Sequence, residues 1–161
     1  MKPYWLDSGA LIEAERSLYP RQMWPTFWVF VEKKLGTGEI RMTAQAWKEL
    51  SKGDDQLAKW CRLRRNTYLR KFEEKDAQLA YGDIASHVAE KFFDSSWHLT
   101  TFCKGADGWI IAQAMTEGGT VVTQELAHPS GLPFKIPTLC DHFEVRHVNL
   151  LTMLKELKFK A

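Results

Sequence analysis

Four acids stand where a carboxylate can do chemistry. Asp7 follows the short apolar run Tyr4-Trp5-Leu6, Glu49 lies in the helical stretch Ala44 to Leu50, Asp107 enters the first turn of the apolar stretch Lys104 to Met115, and Glu125 comes just past Thr120 to Thr123. Hard divalent cations such as Mg²⁺ or Mn²⁺ take oxygen ligands and keep several waters, so clustered carboxylates without Cys or His make a site for them. One or two such ions lower the pKa of an attacking water and stabilise the leaving oxygen of a phosphodiester. Without a cation the same cluster repels itself. Each acid also has an ordinary reading: Asp107 can cap or complement a helix dipole, worth roughly 0.3 to 1 kcal/mol. With 20 acids in the chain, most must be solvated surface.

Clustering depends on the elements that carry these residues. Tyr4 to Leu6 reads as a strand ending at Asp7, with Ala10 to Glu15 as the helix after it. Pro25 opens a helix through Phe27, Trp28, Phe30, Val31 and Leu35, which Gly36-Thr37-Gly38 ends. Glu39 to Met42 alternates as a strand, and Thr43 caps the helix that holds Glu49. An Asp in Lys52 to Asp55 caps a helix through Leu57, Trp60, Cys61 and Leu63. Residues 72–93 read as a long amphipathic helix with Phe72, Leu79, Ile84, Val88 and Phe92 as its apolar positions, weakened by Gly82. Asp94 to Thr101 reads as a loop before the Lys104 to Met115 helix, which Gly118-Gly119 stops. Thr120 to Thr123 is a β-branched strand, and Ala127 to Pro137 a loop by its Pro and Gly content. Leu139 to Phe143 is a short helix, Val145 to Val148 a strand, and Asn149 caps Leu150 to Leu157. Strands alternating with helices predict a three-layer α/β/α sandwich with a central, mostly parallel sheet. Ligands of such sheets collect outside the carboxyl ends of the strands, so the four acids can share one rim.

Composition fits one domain over residues 1–161, long enough to bury roughly 70% of its unfolded surface without staples. The 45% hydrophobic and 26% charged content is that of an ordinary soluble protein, and a net charge of +2 permits a polyanionic partner without demanding one. Cys61, Cys103 and Cys140 are odd in number and widely spaced, which argues against a disulfide framework and fits a reducing compartment. Asp7 interrupts any signal-like apolar run, and no stretch reaches the ~18 apolar residues of a membrane span. The expected setting is cytoplasmic.

Leu6-Asp7-Ser8, Tyr19-Pro20 to Trp28, Lys48-Glu49-Leu50, Ala106 to Ala112, Thr120 to Glu125, and Lys135-Ile136-Pro137 through Leu151 resemble, in this order, the PIN-domain nucleases. The likeness is to a branch of uncharacterised bacterial PIN-like proteins close to the VapC-type toxins. That resemblance implies a Mg²⁺- or Mn²⁺-dependent endoribonuclease in which Asp7, Glu49 and Asp107 are metal-binding acids. Glu125 stands where the pattern usually has Asp or Asn. It further implies RNA as substrate, an antitoxin protein as partner, and a possible homodimer. Two departures are Gly9, where relatives often carry Ser or Asn, and the longer Glu125.

Other groups are weaker signals. Lys59, Arg62, Arg64, Arg65, Arg70 and Lys71, with Trp60 and Tyr68 among them, can bind a nucleic-acid backbone or form a solvated helix face, with Trp60 and Leu63 turned to the core. Arg62, Arg64 and Arg65 are the candidate RNA contacts. Lys104 is expected to pair with Asp107. The five His lack metal-like spacing, and Cys140 with His142 would need distant ligands to bind zinc. Neither a Gly-x-Ser-x-Gly elbow nor a phosphate-binding Gly-rich loop is present. Trp24, Phe27, Trp28, Phe30 and Val31 read as core. Two further functions stay open: a catalytically weak PIN-like module that binds RNA or protein, and a phosphatase or phosphotransferase with Asp7 as nucleophile, which Gly9 disfavours.

Overall fold

The computed structural model describes residues 1–69, 74–91, 96–126 and 134–161. Four parallel strands, β1 (Tyr4–Leu6), β2 (Ile40–Arg41), β3 (Thr120–Val122) and β4 (His147–Val148), form a sheet in the order β2-β1-β3-β4. Tyr4 is in register with Ile40 on one side and Thr120 on the other, while Val121 and Val122 oppose His147 and Val148. Successive side chains on a strand face opposite ways, and here each face meets its own core. Tyr4, Leu6 and Val122 pack with α1 (Ser8–Glu13), α2 (Pro25–Thr37), α3 (Ala44–Leu50), α4 (Gln56–Tyr68) and α9 (Leu150–Glu156). Trp5 and Val121 pack with α5 (Glu74–Lys91), α6 (Ser96–Lys104), α7 (Asp107–Glu117) and α8 (Ile136–His142). The result is the expected α/β/α sandwich, with both faces of the sheet covered.

Local chemistry sets several element ends. The side chains of Thr43, Asp55 and Asn149 accept from the amides of Ala46, Ala58 and Thr152 at 3.0, 2.8 and 2.8 Å, and each such cap is worth about 1 kcal/mol. Gly38 (φ 78°) and Gly118 (φ 67°) close α2 and α7 in the left-handed region. Phe27, Trp28 and Val31 are buried as expected, and Tyr19 stacks on Phe27 with centroids 4.4 Å apart.

Elsewhere the structure departs from expectation. Residues 96–101, read as loop, belong to α6, because Phe102 buries against the second core and draws a segment of weak helix formers with it. Lys104 ends that helix, and α7 begins only at Asp107. In α5 the buried face is Ala77, Ala80, Ile84 and Val88, whereas Leu79 is 63% exposed; Phe72 and Phe92 lie outside the described residues. Ala14 to Leu18 forms a π-helical turn after α1. Pro137 sits in the first turn of α8 rather than in a loop, and Pro129, Gly131 and Pro133 lie outside the described residues.

Candidate active site

The strand order reverses between β1 and β3: from β1 the chain goes out to β2 on one side and later returns to β3 on the other. A crevice at the carboxyl ends of such a pair is where open parallel sheets take ligands. Leu6 is in register with Val122, so Asp7 and Thr123 leave the sheet side by side, and the Thr123 hydroxyl donates to Asp7 Oδ2 at 3.4 Å. Because α7 must run back across the sheet to begin β3, its first residue, Asp107, comes to the same rim. Glu49 reaches the rim from α3, where its Oε2 accepts from the Ser8 hydroxyl at 2.8 Å.

Electrostatics ties the four acids together. The Asp107 carboxyl is pushed up to about 7, first by burial and then by the charges of Asp7, Glu125 and Glu49, with Lys135 opposing. Asp7, only 7% exposed, is pushed up to about 6 by burial and by Glu125, with a smaller push from Glu49; the Gly9 amide and the Thr123 hydroxyl act the other way. Asp107 is not the cap of α7, since Ala106 holds the N-cap position and no side-chain cap bond forms. Lys104 forms no ion pair with Asp107 among the described residues; the cation that faces these acids is Lys135.

Glu125 is tied to the helix that follows it. Glu125 Oε2 accepts from the Ile136 amide at 3.0 Å at the start of α8, and Lys135 Nζ lies 3.8 Å from its Oε1. Gln124 plays the same part for α9, accepting from the Leu150 amide at 2.8 Å. Among the described residues, no group of three or more His, Cys, Asp or Glu is gathered as a ready-made metal shell. Uncompensated carboxylates repel, and with Glu49 held by Ser8 and Glu125 by α8 they stand apart. Space for an ion exists beside Asp7. A Cβ on Gly9 would come within 3.0 Å of Asp7 Oδ2, and a cavity of about 210 Å³ is lined by Asp7, Gly9, Glu13, Gln124 and Glu125. Sequence reasoning missed Glu13, one α1 turn beyond Gly9, and Lys135, which only tertiary proximity places against Glu125.

The basic helix is largely committed to structure. Arg62 donates to the carbonyls of Ser51 (2.8 Å) and Gly53 (2.6 Å), while Arg64 pairs with Glu32 at 2.9 Å and lies 4.8 Å from the Trp60 ring centroid. Arg65 is exposed. Trp60 is buried as expected, but Leu63 is 79% exposed rather than core, since the turn of α4 points it outward. Arg70 and Lys71 lie outside the described residues. Burial pushes the Cys140 thiol up to about 12, and His142 stacks on His87 with ring centroids 3.6 Å apart, so neither is arranged for zinc. The described cysteines are all free, as their spacing predicts.

A four-stranded parallel sheet between two helical layers is a PIN-like α/β fold, the class expected from the sequence. The same fold occurs in a chain from the crystal structure of VapBC2 from Rickettsia felis bound to a DNA fragment from their promoter: TM-score 0.50, 14% identity, 91% of this chain and 97% of that chain covered. More narrowly, residues 4–161 match the model of DUF4411, a domain of unknown function, and the chain belongs to that family. A comparison with curated proteins finds none that matches. No helix among the described residues is long and apolar enough to cross a membrane.

Proposed function

We propose that this chain is a single-domain, Mg²⁺- or Mn²⁺-dependent endoribonuclease, acting as the toxin of a toxin and antitoxin pair. The observation that carries the reading is the shared electrostatics of Asp7, Glu49, Asp107 and Glu125. The charges of Glu125 and Glu49 raise both Asp7 and Asp107 at the sheet's switch point, and Asp7 adds to the push on Asp107, with a half-exposed lysine, Lys135, as the facing cation. Such crowding is tolerable when a dication supplies the missing charge. The donor set fits a hard cation: oxygen only, with open space over Asp7.

Asp7 and Asp107 would hold the ion directly. Glu49 and Glu125 would join by swinging from Ser8 and Ile136, or through water. When bound, the ion supplies an activated water and charge for the phosphodiester's leaving oxygen. Asp7 stays oriented through the Thr123 hydroxyl, and the Gly9 hydrogen leaves the approach to its carboxylate clear. Lys135 is placed to neutralise a substrate phosphate brought against the acids. Arg65, exposed on α4, is a further backbone contact. The antitoxin partner is supported by the likeness to a chain of the VapBC2 complex, and a homodimer by the exposed Val29, which lines a surface groove with Phe30 and Phe159.

The test is RNA cleavage with Mg²⁺ or Mn²⁺ by the parent and by Asp107→Asn. The variant keeps the shape and removes the charge, so its rate should fall at least about 100-fold. Equal cutting would remove Asp107 from the site. The engaged Glu125 and the absence of a gathered metal shell among the described residues favour a second reading, a catalytically weak module. Calorimetric titration with Mn²⁺ separates the two, because a module without a working site gives no heat above background.

A further inference from the structure

Glu125 divides its oxygens between two partners: Oε2 accepts from the Ile136 amide at 3.0 Å, and Oε1 lies 3.8 Å from Lys135 Nζ. The oxygen that the α8 bond leaves for an ion is therefore the one the lysine faces. Lys135 is fixed at its backbone, as the N-cap residue of α8 whose carbonyl accepts from the Leu139 amide at 3.0 Å, ahead of the buried Ile136 and Pro137. Its side chain is 44% exposed, so the ammonium can leave Glu125 for water without moving that anchor. The same ammonium acts on Asp107, where it opposes the push of Asp7, Glu125 and Glu49. Among the described residues no other Lys or Arg forms an ion pair with any of the four acids.

We propose that Lys135 is a tethered stand-in for the metal: its ammonium occupies the cation's place at Glu125 Oε1 in the ion-free chain and yields it to a divalent cation. This rests on the nuclease reading above and adds to it the group that sets how tightly, and for which ions, the site binds. A tethered charge competes at the high effective concentration of an intramolecular partner. A half-exposed pair of this length is weak, so the competition raises the concentration of dication needed without closing the site. A monovalent ion would exchange one unit of charge for another and gain nothing, whereas a dication brings a second unit to the crowded acids. Once displaced, Lys135 stays tethered beside the rim with its ammonium free for a phosphate oxygen.

The test is a double-mutant cycle read as Mn²⁺ affinity by calorimetry, using the parent, Lys135→Gln, Glu125→Gln and the two changes together. RNA cleavage by the parent is followed in parallel, and melts in EDTA check that each variant folds. Lys135→Gln should bind Mn²⁺ roughly 3- to 10-fold more tightly than the parent, and Lys135→Arg, which keeps the charge, close to the parent. In the Glu125→Gln background the same lysine change should alter affinity less than about twofold, because the oxygen over which lysine and metal compete is then uncharged. Unchanged or weaker binding by Lys135→Gln overturns the stand-in while the nuclease reading stands. Tightening that persists in full without the Glu125 charge overturns it too, since the lysine then only repels the ion from a distance. If the parent neither binds Mn²⁺ nor cuts RNA, the nuclease reading fails and the stand-in falls with it.

Discussion

Glu125 carries two duties that substitution can separate. Its Oε2 accepts from the Ile136 amide, and its charge adds to the cluster around Asp7 and Asp107. Glu125→Gln keeps an oxygen for the amide and removes the charge, so the melting temperature should stay near that of the parent while metal-dependent cleavage falls. Glu125→Ala loses both and should also cost about 1 to 2 kcal/mol of stability through the orphaned amide. Chemical denaturation of both variants, alongside cleavage assays, reads the difference. If Gln and Ala cut as well as the parent, Glu125 is only a helix cap. The position is legible in the sequence as the last of four rim acids; its second duty is not, since the bond joins residues 11 apart.

At the scale of elements, two glycines should respond in opposite ways. Gly82 lies mid-way along α5, where a Cβ would meet nothing within 4 Å, so Gly82→Ala should stabilise by roughly 0.5 to 1 kcal/mol. Gly108 follows Asp107 in α7, where a Cβ would stand 2.7 Å from Tyr81 Cε2 and 3.0 Å from Phe102 Cζ. Gly108→Ala must push α7 from α5 and α6, costing about 1 to 3 kcal/mol and moving Asp107 with it. Urea midpoints measure both, and a stable Gly108→Ala would show that α7 has room to shift. The same elements mark how far the sequence can be read. Helix starts bearing Thr43, Asp55 and Asn149 are legible because capping is local chemistry. The helix at Ser96 to Lys104 is not, because Trp97, His98, Thr100 and Thr101 carry little helical preference and packing through Phe102 decides it. Leu63 and Leu79 mislead for a related reason: apolar identity marks a core position only when the helix face turns inward.

The whole molecule should reveal its acid cluster through stability. Asp7 and Asp107 bind their protons more tightly folded, at about 6 and about 7, than in an unfolded chain, where carboxyls of this type titrate near about 4. The folded state thus holds more protons across that window, and without metal the protein should lose stability as pH rises from about 4 to about 7, then level off. At about 1.4 kcal/mol per unit, the loss is of the order of a few kcal/mol. Glu156 acts in the opposite sense but outside this window: Arg146 and Tyr4 hold it at about 2, so its contribution disappears only as pH falls below its unfolded value. A cation that binds the ionised acids adds about 2.7 kcal/mol at 100 times its dissociation constant. Mn²⁺ should therefore raise the melting temperature at pH 8 and do little at pH 5. Asp107→Asn should melt higher than the parent in EDTA at pH 8, yet gain little from Mn²⁺, which trades the site for stability. Thermal melts at the two pH values, with EDTA and with Mn²⁺, read all of this. A parent that grows more stable from pH 5 to pH 8 in EDTA would mean the acids are not crowded in the folded chain, and the case for a cation among them would fail with that crowding.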